Sequence, residues 1–348
     1  ASSSAMAAPA LSQGLRRASG AAAAAAARII VVGRIGEDSA LDELQRLPAN
    51  ASVVAHGATL ESILESGPVA SANCILNCEG SAAVLGPVLR AAPDVKWVHS
   101  RFAGVDGMMC DELVNSDIVL TNGKGLFSSS LAEYSMLSAM YFAKDIPRLQ
   151  RQKQERKWEK FTVSELRGAT FGVVGSGDIG MACARLAKAF GMHVMAIRRR
   201  PDLTTPGDPV DESLPPSSLP HLMATADYVV NALPLTPNTR HFMGAEAFSH
   251  AKGAVLISLG RGPTVDEAAL LDALDEGRIS GAALDVFEVE PLPASSPIWD
   301  HPKVLLSPHC ADMTFQFLHR SVARFVSYVP RFIDGEPLDN VVDKSQGY

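Results

Sequence analysis

The feature that most constrains the fold is a glycine-rich turn between a strand pattern and a helix pattern. Residues 171–174 have strand character and run into Gly175-x-Gly177-x-x-Gly180, and small residues with helical spacing continue from Met181 to Phe190. The first glycine permits a tight turn, the second lets a pyrophosphate approach the backbone, and the third allows close packing of helix and strand. Free N–H groups at the helix N-terminus attract phosphate charge. The sequence therefore predicts dinucleotide contacts from Gly175, Gly177, Asp178, Ile179 and Gly180.

Length and charge limit the kind of partner. A chain of 348 residues suggests about two domains. Apolar residues make up 47% and charged residues 20%, which is typical of globular proteins. The net charge of −7 argues against a general nucleic-acid binder. No apolar run reaches the ~20 residues of a membrane span. We therefore expect a small-molecule partner, with no role for nucleic acid or a membrane.

The five cysteines predict no disulfide framework. Their odd number and wide scatter favour a reducing compartment. Cys74-x-x-x-Cys78 could be a metal clip, but it lies in an apolar strand-like run with no second ligand pair nearby. Buried thiols that act as small hydrophobic side chains are the better interpretation. We expect no metal ion.

Residues 1–28 differ in composition from the rest of the chain. They are rich in Ala and Ser, carry three arginines and contain no acidic residue, the first being Glu37. This composition resembles an organelle transit peptide, for a plastid or a mitochondrion. The alternative is a low-complexity tail without targeting function, in a cytoplasmic protein. On either interpretation the segment takes no part in the fold.

From Ile29 onward, strand and helix patterns alternate, which predicts an α/β fold with parallel sheets and crossover helices. The predicted strands are 28–33, 52–56, 74–77, 95–99, 118–121, 171–174, 193–197, 228–231, 254–258, 281–284 and 304–306. The predicted helices include 38–47, 131–142, 147–160, 181–190 and 314–332. A turn-rich loop is predicted over 206–220.

The residues after the second strand of the fingerprint unit bear on the choice of cofactor. NAD-selective sites place an acidic residue at this point, where it accepts hydrogen bonds from the ribose. Here the strand ends at Arg198, and Arg199 and Arg200 follow. Guanidinium groups can grip a 2′-phosphate bidentately, so the sequence favours NADP(H) over NAD(H), with Arg198 and Arg199 as contacts. The alternative is a solvated basic turn.

Three further blocks carry a resemblance to a known family. They are Leu233-Pro-Leu-Thr-Pro-Asn-Thr239, then Leu256-Ile-Ser-Leu-Gly-Arg-Gly262 leading to Ala283-Leu-Asp-Val-Phe-Glu-Val-Glu-Pro291, and Leu306-Ser-Pro-His309. In this order and spacing they resemble the D-isomer-specific 2-hydroxyacid dehydrogenases. The resemblance covers roughly residues 95–320.

The resemblance implies two Rossmann-like, doubly wound parallel-sheet lobes, with the dinucleotide lobe inserted into a discontinuous substrate lobe. Residues 29–124 and 310–341 would form the substrate-binding domain, and residues 125–309 the dinucleotide-binding domain. By analogy with the family we also expect a homodimer formed through the dinucleotide lobe.

The resemblance also assigns catalytic roles. Arg261 matches the arginine that pairs with the substrate carboxylate and polarises the carbonyl group. His309 matches the general acid/base, and Glu290 matches the carboxylate that orients it and raises its pKa. The backbone N–H groups of Ala103 and Gly104, in a glycine loop after a strand, would hold the substrate carboxylate. Further cofactor contacts would come from Leu233, Pro234, Thr239, Leu259, Asp285 and His309.

Each catalytic residue has a plainer interpretation when taken singly. His309 could be a surface residue near a strand end, Arg261 a turn residue, and Glu290 a solvated charge. Their ordered occurrence with the fingerprint favours the catalytic interpretation. Two departures from the family pattern leave the substrate size open: the Cys310–Thr314 segment lacks the common glycine, and the arginine block reads Ser-Leu-Gly-Arg. Cys310 could be a redox-sensitive thiol, but a buried small side chain is the better interpretation.

The expected activity is reduction of a small 2-oxo acid to the D-2-hydroxy acid with NADPH. Glyoxylate, hydroxypyruvate and pyruvate are the candidate substrates. A rival interpretation is a dinucleotide-sensing interaction protein on the same scaffold, as corepressors of this family illustrate. A phosphite-oxidising or other unusual dehydrogenase of the family is a third option.

Overall fold

The computed structural model describes residues 26–202 and 207–347, and it divides them into two units. The first contains the described residues up to Leu126 together with those from Phe315 onward, and the second contains Phe127–Thr314. The second unit therefore extends past the predicted end at residue 309. Residues 1–25 of the predicted leader lie outside the described ranges, whereas Ala27 and Arg28 are the first residues of a strand and so do take part in the fold.

The first unit contains a parallel sheet of five strands in the order β2-β1-β3-β4-β5. Its strands are β1 (Ala27–Val32), β2 (Ala51–Gly57), β3 (Cys74–Asn77), β4 (Trp97–Ser100) and β5 (Val119–Thr121). Its α-helices are α1 (Leu60–Ser66), α2 (Ala82–Ala91), α3 (Asp111–Val114) and a C-terminal helix (Phe317–Asp334), and it has 3-10 helices over Ser39–Arg46, Val69–Ser71 and Asp106–Met108.

The C-terminal helix packs on this sheet through aromatic side chains. The ring of Phe325 stacks on that of Trp97, with 4.9 Å between ring centroids. Cys74 and Cys78 are buried in the same core, and burial raises the pKa of both thiols. A neutral, buried thiol is a poor metal ligand, because the thiolate is the binding form.

The second unit contains a parallel sheet of seven strands in the order β12-β11-β10-β9-β6-β7-β8. Its strands are β6 (Thr170–Val174), β7 (His193–Ile197), β8 (Glu212–Leu214), β9 (Tyr228–Asn231), β10 (Ala254–Ser258), β11 (Ile279–Leu284) and β12 (Val304–Leu306). Its α-helices are α4 (Ser128–Ala143), α5 (Ile146–Gln154), α6 (Asp178–Ala189), α7 (Leu219–Thr225), α8 (Ala245–Ser249) and α9 (Glu267–Asp275), and it has 3-10 helices over Pro216–Ser218, Gly262–Thr264 and Pro297–Asp300.

The strand order creates a binding crevice in the second unit. β7 and β9 lie on opposite sides of β6. The chain therefore adds strands on one side of β6 up to β8 and on the other side from β9 onward. Ligands of open α/β sheets bind outside the carboxyl ends of the strands at such a point. The predicted fold class, two doubly wound parallel sheets with one lobe inserted in the other, is confirmed.

Several predicted boundaries are wrong. The charged helix predicted to reach Lys160 ends at Gln154, and Arg156 shortly after it has a left-handed backbone (φ 54°). The segment 38–47 is a 3-10 helix rather than an α-helix, and the last helix begins at Phe317. The loop predicted over 206–220 contains β8, whose three residues are too few to show an alternation of apolar and polar side chains.

No helix within residues 26–202 and 207–347 has the length and hydropathy that crossing a bilayer requires.

Candidate active site

The fingerprint turn follows β6 and packs as its glycines require. Gly175 has φ of +100°, and a Cβ there would lie 2.8 Å from the backbone of Ala232. A Cβ on Gly180 would overlap the carbonyl oxygen of Gly175. A Cβ on Gly177, by contrast, would meet no atom within 4 Å. The turn therefore packs tightly against the protein at Gly175 and Gly180 but leaves space beside Gly177. This space fits a pyrophosphate group lying against the backbone.

Two side chains hold this turn in place. Ser176 Oγ donates to the carbonyl oxygen of Ile197 at 2.9 Å, which ties the turn to the end of β7. Ser128 Oγ donates to the carboxylate of Asp178, the first residue of α6. Asp178 and Ile179 are thus placed in the first helical turn, where backbone N–H groups lack partners within the helix and can bind phosphate oxygens.

The loops after β9 and β10 complete this edge of the sheet. Thr239 Oγ1 donates to the carbonyl oxygen of Pro234 at 2.7 Å and closes the first loop on itself. The buried Leu259 donates its backbone N–H to Asn231 at the end of β9. A Cβ on Gly260 would overlap the carbonyl oxygen of Leu233, so the two loops touch. Leu233, Pro234, Thr239 and Leu259 therefore lie at the same carboxyl edge as the fingerprint.

Arg198 follows β7 directly but does not extend into solvent. Its guanidinium is buried, and both Nη atoms donate to the carboxylate of Asp208, at 2.6 and 2.7 Å. Arg199 is exposed. The sequence identified the arginines but not Asp208, because nothing in the pattern of a turn-rich loop marks which acid returns to the strand end.

A histidine–carboxylate pair lies at the other end of the same edge. His309 Nδ1 and Glu290 Oε2 are 2.7 Å apart, and Glu290 Oε1 accepts the backbone N–H of Phe287 at 2.9 Å. His309 has a left-handed backbone conformation (φ 52°), uncommon for a residue other than glycine. Strained backbone of this kind is frequent at functional sites.

The pKa values of the pair move in opposite directions. The hydrogen bond that His309 donates to Glu290 raises the pKa of the histidine, against the effects of burial and of the positive charge of Arg261. Burial alone would raise the pKa of Glu290, but the hydrogen bonds from His309 and the Phe287 N–H outweigh it, so that pKa is lowered. The arrangement therefore favours imidazolium beside carboxylate.

Arg261 acts on this pair from the loop after β10. Its charge lowers the pKa of both His309 and Glu290, so the structure brings the three predicted catalytic residues together. Arg261 Nη1 also contacts the carbonyl oxygen of Gly260 at 3.0 Å. A Cβ on Gly262 would overlap the carbonyl oxygen of Phe287, so the arginine loop packs against the loop that carries Glu290.

Asp285 anchors the turn that carries His309. It is buried at the end of β11, and its Oδ1 accepts from Ser307 Oγ at 2.6 Å and from the backbone N–H groups of Cys310 and Ala311 at 2.9 and 3.1 Å. Three hydrogen bonds to one oxygen fix the backbone on both sides of the histidine.

Sequence reasoning missed a set of hydrogen bonds that links Glu267 to Glu288, two residues before Glu290. Glu288 donates its backbone N–H to Glu267 Oε1 at 2.6 Å, and Glu267 donates its own to Glu288 Oε1 at 2.9 Å. His241 Nε2 lies 3.2 Å from Glu288 Oε2. These bonds join the start of α9 to the loop that carries Glu290. Only Glu288, inside the family block, gave any signal in the sequence.

The residues predicted to hold the substrate carboxylate do not belong to the unit that contains Arg261, Glu290 and His309. Ala103 and Gly104 belong to the first unit, in the loop after β4, where the carbonyl oxygen of Ala103 accepts from Asn122 Nδ2 at 2.7 Å. The interpretation of Cys310 as buried is wrong. The residue is exposed, and its Sγ lies 3.3 Å from Ser307 Oγ.

A parallel sheet with a dinucleotide turn at its crevice and a histidine–carboxylate pair at the same edge defines a dinucleotide-binding protein of the dehydrogenase class. The sequence pattern of the NAD binding domain of D-isomer specific 2-hydroxyacid dehydrogenases matches residues 136–311. The chain belongs to this family, as its motifs predicted.

Curated relatives agree with this assignment. A glyoxylate reductase from Korarchaeum cryptofilum is 32% identical over 269 residues, which cover 74% of this chain and 79% of that protein. A D-3-phosphoglycerate dehydrogenase from Methanocaldococcus jannaschii is 31% identical over 324 residues, which cover 91% of this chain. The match spans only 59% of the length of that relative.

Solved structures share the fold. A D-isomer specific 2-hydroxyacid dehydrogenase from Xanthobacter autotrophicus, in complex with NADPH and MES, superposes with a TM-score of 0.78 at 30% identity, covering 93% of this chain and all of that one. An NADPH-dependent glyoxylate/hydroxypyruvate reductase from Sinorhizobium meliloti, in complex with NADP and sulfate, gives a TM-score of 0.78 at 26% identity, covering 92% of this chain and all of that one.

Proposed function

We propose that the protein is an NADPH-preferring reductase that converts a small 2-oxo acid, such as glyoxylate, hydroxypyruvate or pyruvate, to the D-2-hydroxy acid. The observation that carries the proposal is the His309–Glu290 pair, at 2.7 Å, under the charge of Arg261 and at the sheet edge that bears the fingerprint turn. The relatives named as glyoxylate reductases, and the neighbours solved with NADPH or NADP, support the substrate class and the cofactor.

Arg261, His309 and Glu290 have separate roles in the proposed reduction. Arg261 binds the substrate carboxylate and draws electron density from the carbonyl group. Since Nδ1 of His309 faces Glu290, its Nε2 is the nitrogen that donates a proton to the carbonyl oxygen. The fingerprint turn would hold a reduced nicotinamide cofactor, which would supply the hydride for the reduction. Glu290 keeps the imidazole oriented before and after the proton leaves, and water then reprotonates Nε2. In the reverse direction, neutral His309 accepts the proton.

The preference for NADPH rests on the basic turn after β7. Arg199 and Arg200 are exposed there, and a guanidinium attracts a 2′-phosphate more strongly than it attracts a ribose hydroxyl. The backbone of Gly177, Asp178 and Ile179 would hold the pyrophosphate of either cofactor equally. Apparent KM values for NADPH and NADH, measured with the same 2-oxo acid, test the preference, and a lower KM for NADH would contradict it.

The proposed reaction is tested by following NADPH absorbance with glyoxylate, hydroxypyruvate and pyruvate in parallel. We expect oxidation of NADPH with at least one of them and a product of D configuration. Glyoxylate gives an achiral product, so the configuration is determined on the product of hydroxypyruvate or pyruvate. Binding of NADPH without turnover of any 2-oxo acid would contradict a reductase and favour the dinucleotide-sensing alternative.

We also propose a homodimer formed through the second unit. Four large apolar side chains of this unit are exposed on α4, on α5 and in the segment that follows: Leu137, Leu149, Trp158 and Val163. Large apolar side chains left exposed on a protein are available for burial against a second copy of the chain. Light scattering of the purified protein tests this, and a monomer at micromolar concentration would contradict it.

An organelle location is a further proposal and rests on the composition of residues 1–28 alone. A fusion of this segment to a fluorescent protein, imaged in cells that contain both plastids and mitochondria, tests it. A signal spread through the cytoplasm would contradict it.

The pH dependence of the reaction follows from the His309–Glu290 pair. Reduction needs protonated His309, so kcat/KM falls as the pH rises through the histidine pKa, which Glu290 raises. In Glu290→Gln, burial and the charge of Arg261 still lower this pKa, and among the remaining influences only the charge of Asp285 raises it. We therefore expect the falling limb to move to lower pH. Profiles of kcat/KM for both proteins measure the shift, and an unmoved limb would show that Glu290 does not set the pKa.

A further inference from the structure

We propose that Asp208 is a specificity-determining residue that limits the preference for NADPH over NADH. Its carboxylate accepts hydrogen bonds from the guanidinium of Arg198, at the end of β7. It therefore competes with a 2′-phosphate for that cation. The inference rests on the proposed nicotinamide cofactor and adds to it a residue that works against the phosphorylated form.

The pairing of Arg198 and Asp208 is close and shielded from water. Both Nη atoms of Arg198 donate to Asp208, at 2.6 and 2.7 Å, and the two side chains are only 7% and 12% exposed. The backbone N–H of Val210 donates to the same carboxylate at 3.1 Å and holds it in place. The bidentate geometry is the one that a guanidinium would otherwise offer to a phosphate group.

The pair also lies where the adenosine ribose binds in this fold. Arg198 is the first residue after β7, and its Nη2 is 3.4 Å from Met181 Sδ in the first turn of α6. Ser176 of the fingerprint turn is bonded to Ile197, the residue before Arg198. The residue at the end of this second strand is the one that contacts the 2′ position of the ribose.

Two consequences follow for the bound nucleotide. A 2′-phosphate would meet a carboxylate of like charge and a guanidinium whose Nη donors are already used, so its binding is weakened. A ribose hydroxyl can instead donate to the carboxylate, as it does to the acid at the strand end of NAD-selective sites. Asp208 thus supplies, from ten residues further along the chain, the acid that is missing at position 198.

The decisive variant is Asp208→Asn, which removes the charge and keeps the size of the side chain. The dissociation constants of 2′,5′-ADP and 5′-AMP are measured by calorimetry on the full chain at fixed ionic strength. We expect 2′,5′-ADP to bind roughly 10-fold more tightly, since one like charge is removed from its site, and 5′-AMP to change less than about twofold. The KM ratio of NADPH to NADH should fall in the same proportion.

Asp202→Asn is the matched control, because Asp202 lies in the same connection between β7 and β8 and is exposed. It changes the net charge equally, so an equal gain in 2′,5′-ADP affinity would overturn the proposal by showing a general charge effect. Unchanged or weaker binding of 2′,5′-ADP by Asp208→Asn would also overturn it, since Asp208 would then orient Arg198 towards the phosphate. If thermal melting shows that Asp208→Asn is unfolded, Asp208→Ser takes its place with the same expectation.

The result is distinguishable from a failure of the proposed function. If the unaltered protein binds neither 2′,5′-ADP nor 5′-AMP, the cofactor assignment is contradicted and this inference with it. If both nucleotides bind as expected but no 2-oxo acid is reduced, only the reductase assignment is contradicted, and the role of Asp208 stands.

Discussion

Replacing His309 with Gln is expected to lower kcat for 2-oxo acid reduction by about 10²–10⁴-fold, the range that a positioned general acid contributes. Gln keeps a polar side chain of similar length, but it has no proton that it can transfer at neutral pH. His309 is only one of the expected cofactor contacts and the others lie mostly on other loops, so the dissociation constant of NADPH should change far less than kcat. Steady-state kinetics and a fluorescence titration with NADPH measure the two quantities separately.

His301→Gln is the matched control for this variant. His301 also faces a carboxylate, with Nε2 3.4 Å from Asp275 Oδ1, but it lies before β12, at the amino end of the strands. Its replacement should leave kcat within about twofold. Near-normal turnover in His309→Gln, or an equal loss in both variants, would refute the assignment of His309 as the proton donor.

The sequence predicted several of the parallel strands to the residue. The strands at 74–77, 193–197, 228–231, 254–258 and 304–306 begin and end where predicted. Strands covered on both faces appear as continuous apolar runs, and turn residues mark their ends. Helix ends were less predictable. The charged segment 147–160 has little apolar periodicity, so the sequence contains no sign that the helix stops at Gln154.

For the candidate site, motifs located the residues and the structure supplied their partners. Arg261, Glu290 and His309 came from a resemblance, because no single-residue pattern distinguishes a catalytic histidine from a surface one. The exchange of hydrogen bonds between Glu267 and Glu288, and the pairing of Arg198 with Asp208, join residues that are distant in sequence. Such contacts depend on which loops the sheet places side by side, and only the fold determines this.

The exposure of Cys310 shows the same limit. A small apolar-like residue next to a strand-end histidine is compatible with burial, and the sequence gave no reason to place it outside. In the structure the backbone N–H groups of Cys310 and Ala311 both donate to Asp285, and Cys310 is exposed. These hydrogen bonds join residues 25 and 26 positions apart, which local sequence does not reveal.

Replacing Arg261 with Gln is expected to lower kcat/KM by roughly 10²–10³-fold, as the loss of one charged donor to a developing oxyanion does. Both parameters should change: KM rises because the substrate carboxylate loses its partner, and kcat falls because the carbonyl group is less polarised. Arg261→Lys keeps the charge but not the planar fork, so it should recover only part of the loss. Arg278→Gln, which alters a surface arginine before β11, serves as the control and should leave both parameters unchanged.

The pH profile of Arg261→Gln separates its role from that of Glu290. The charge of Arg261 lowers the pKa of His309, so its removal raises that pKa and moves the falling limb of kcat/KM to higher pH. Glu290→Gln moves the same limb to lower pH. Opposite shifts in the two variants would show that the positive charge of Arg261 and the negative charge of Glu290 both act on the pKa of His309. A limb that moved in the same direction in both variants would mean that the titrating group is not His309.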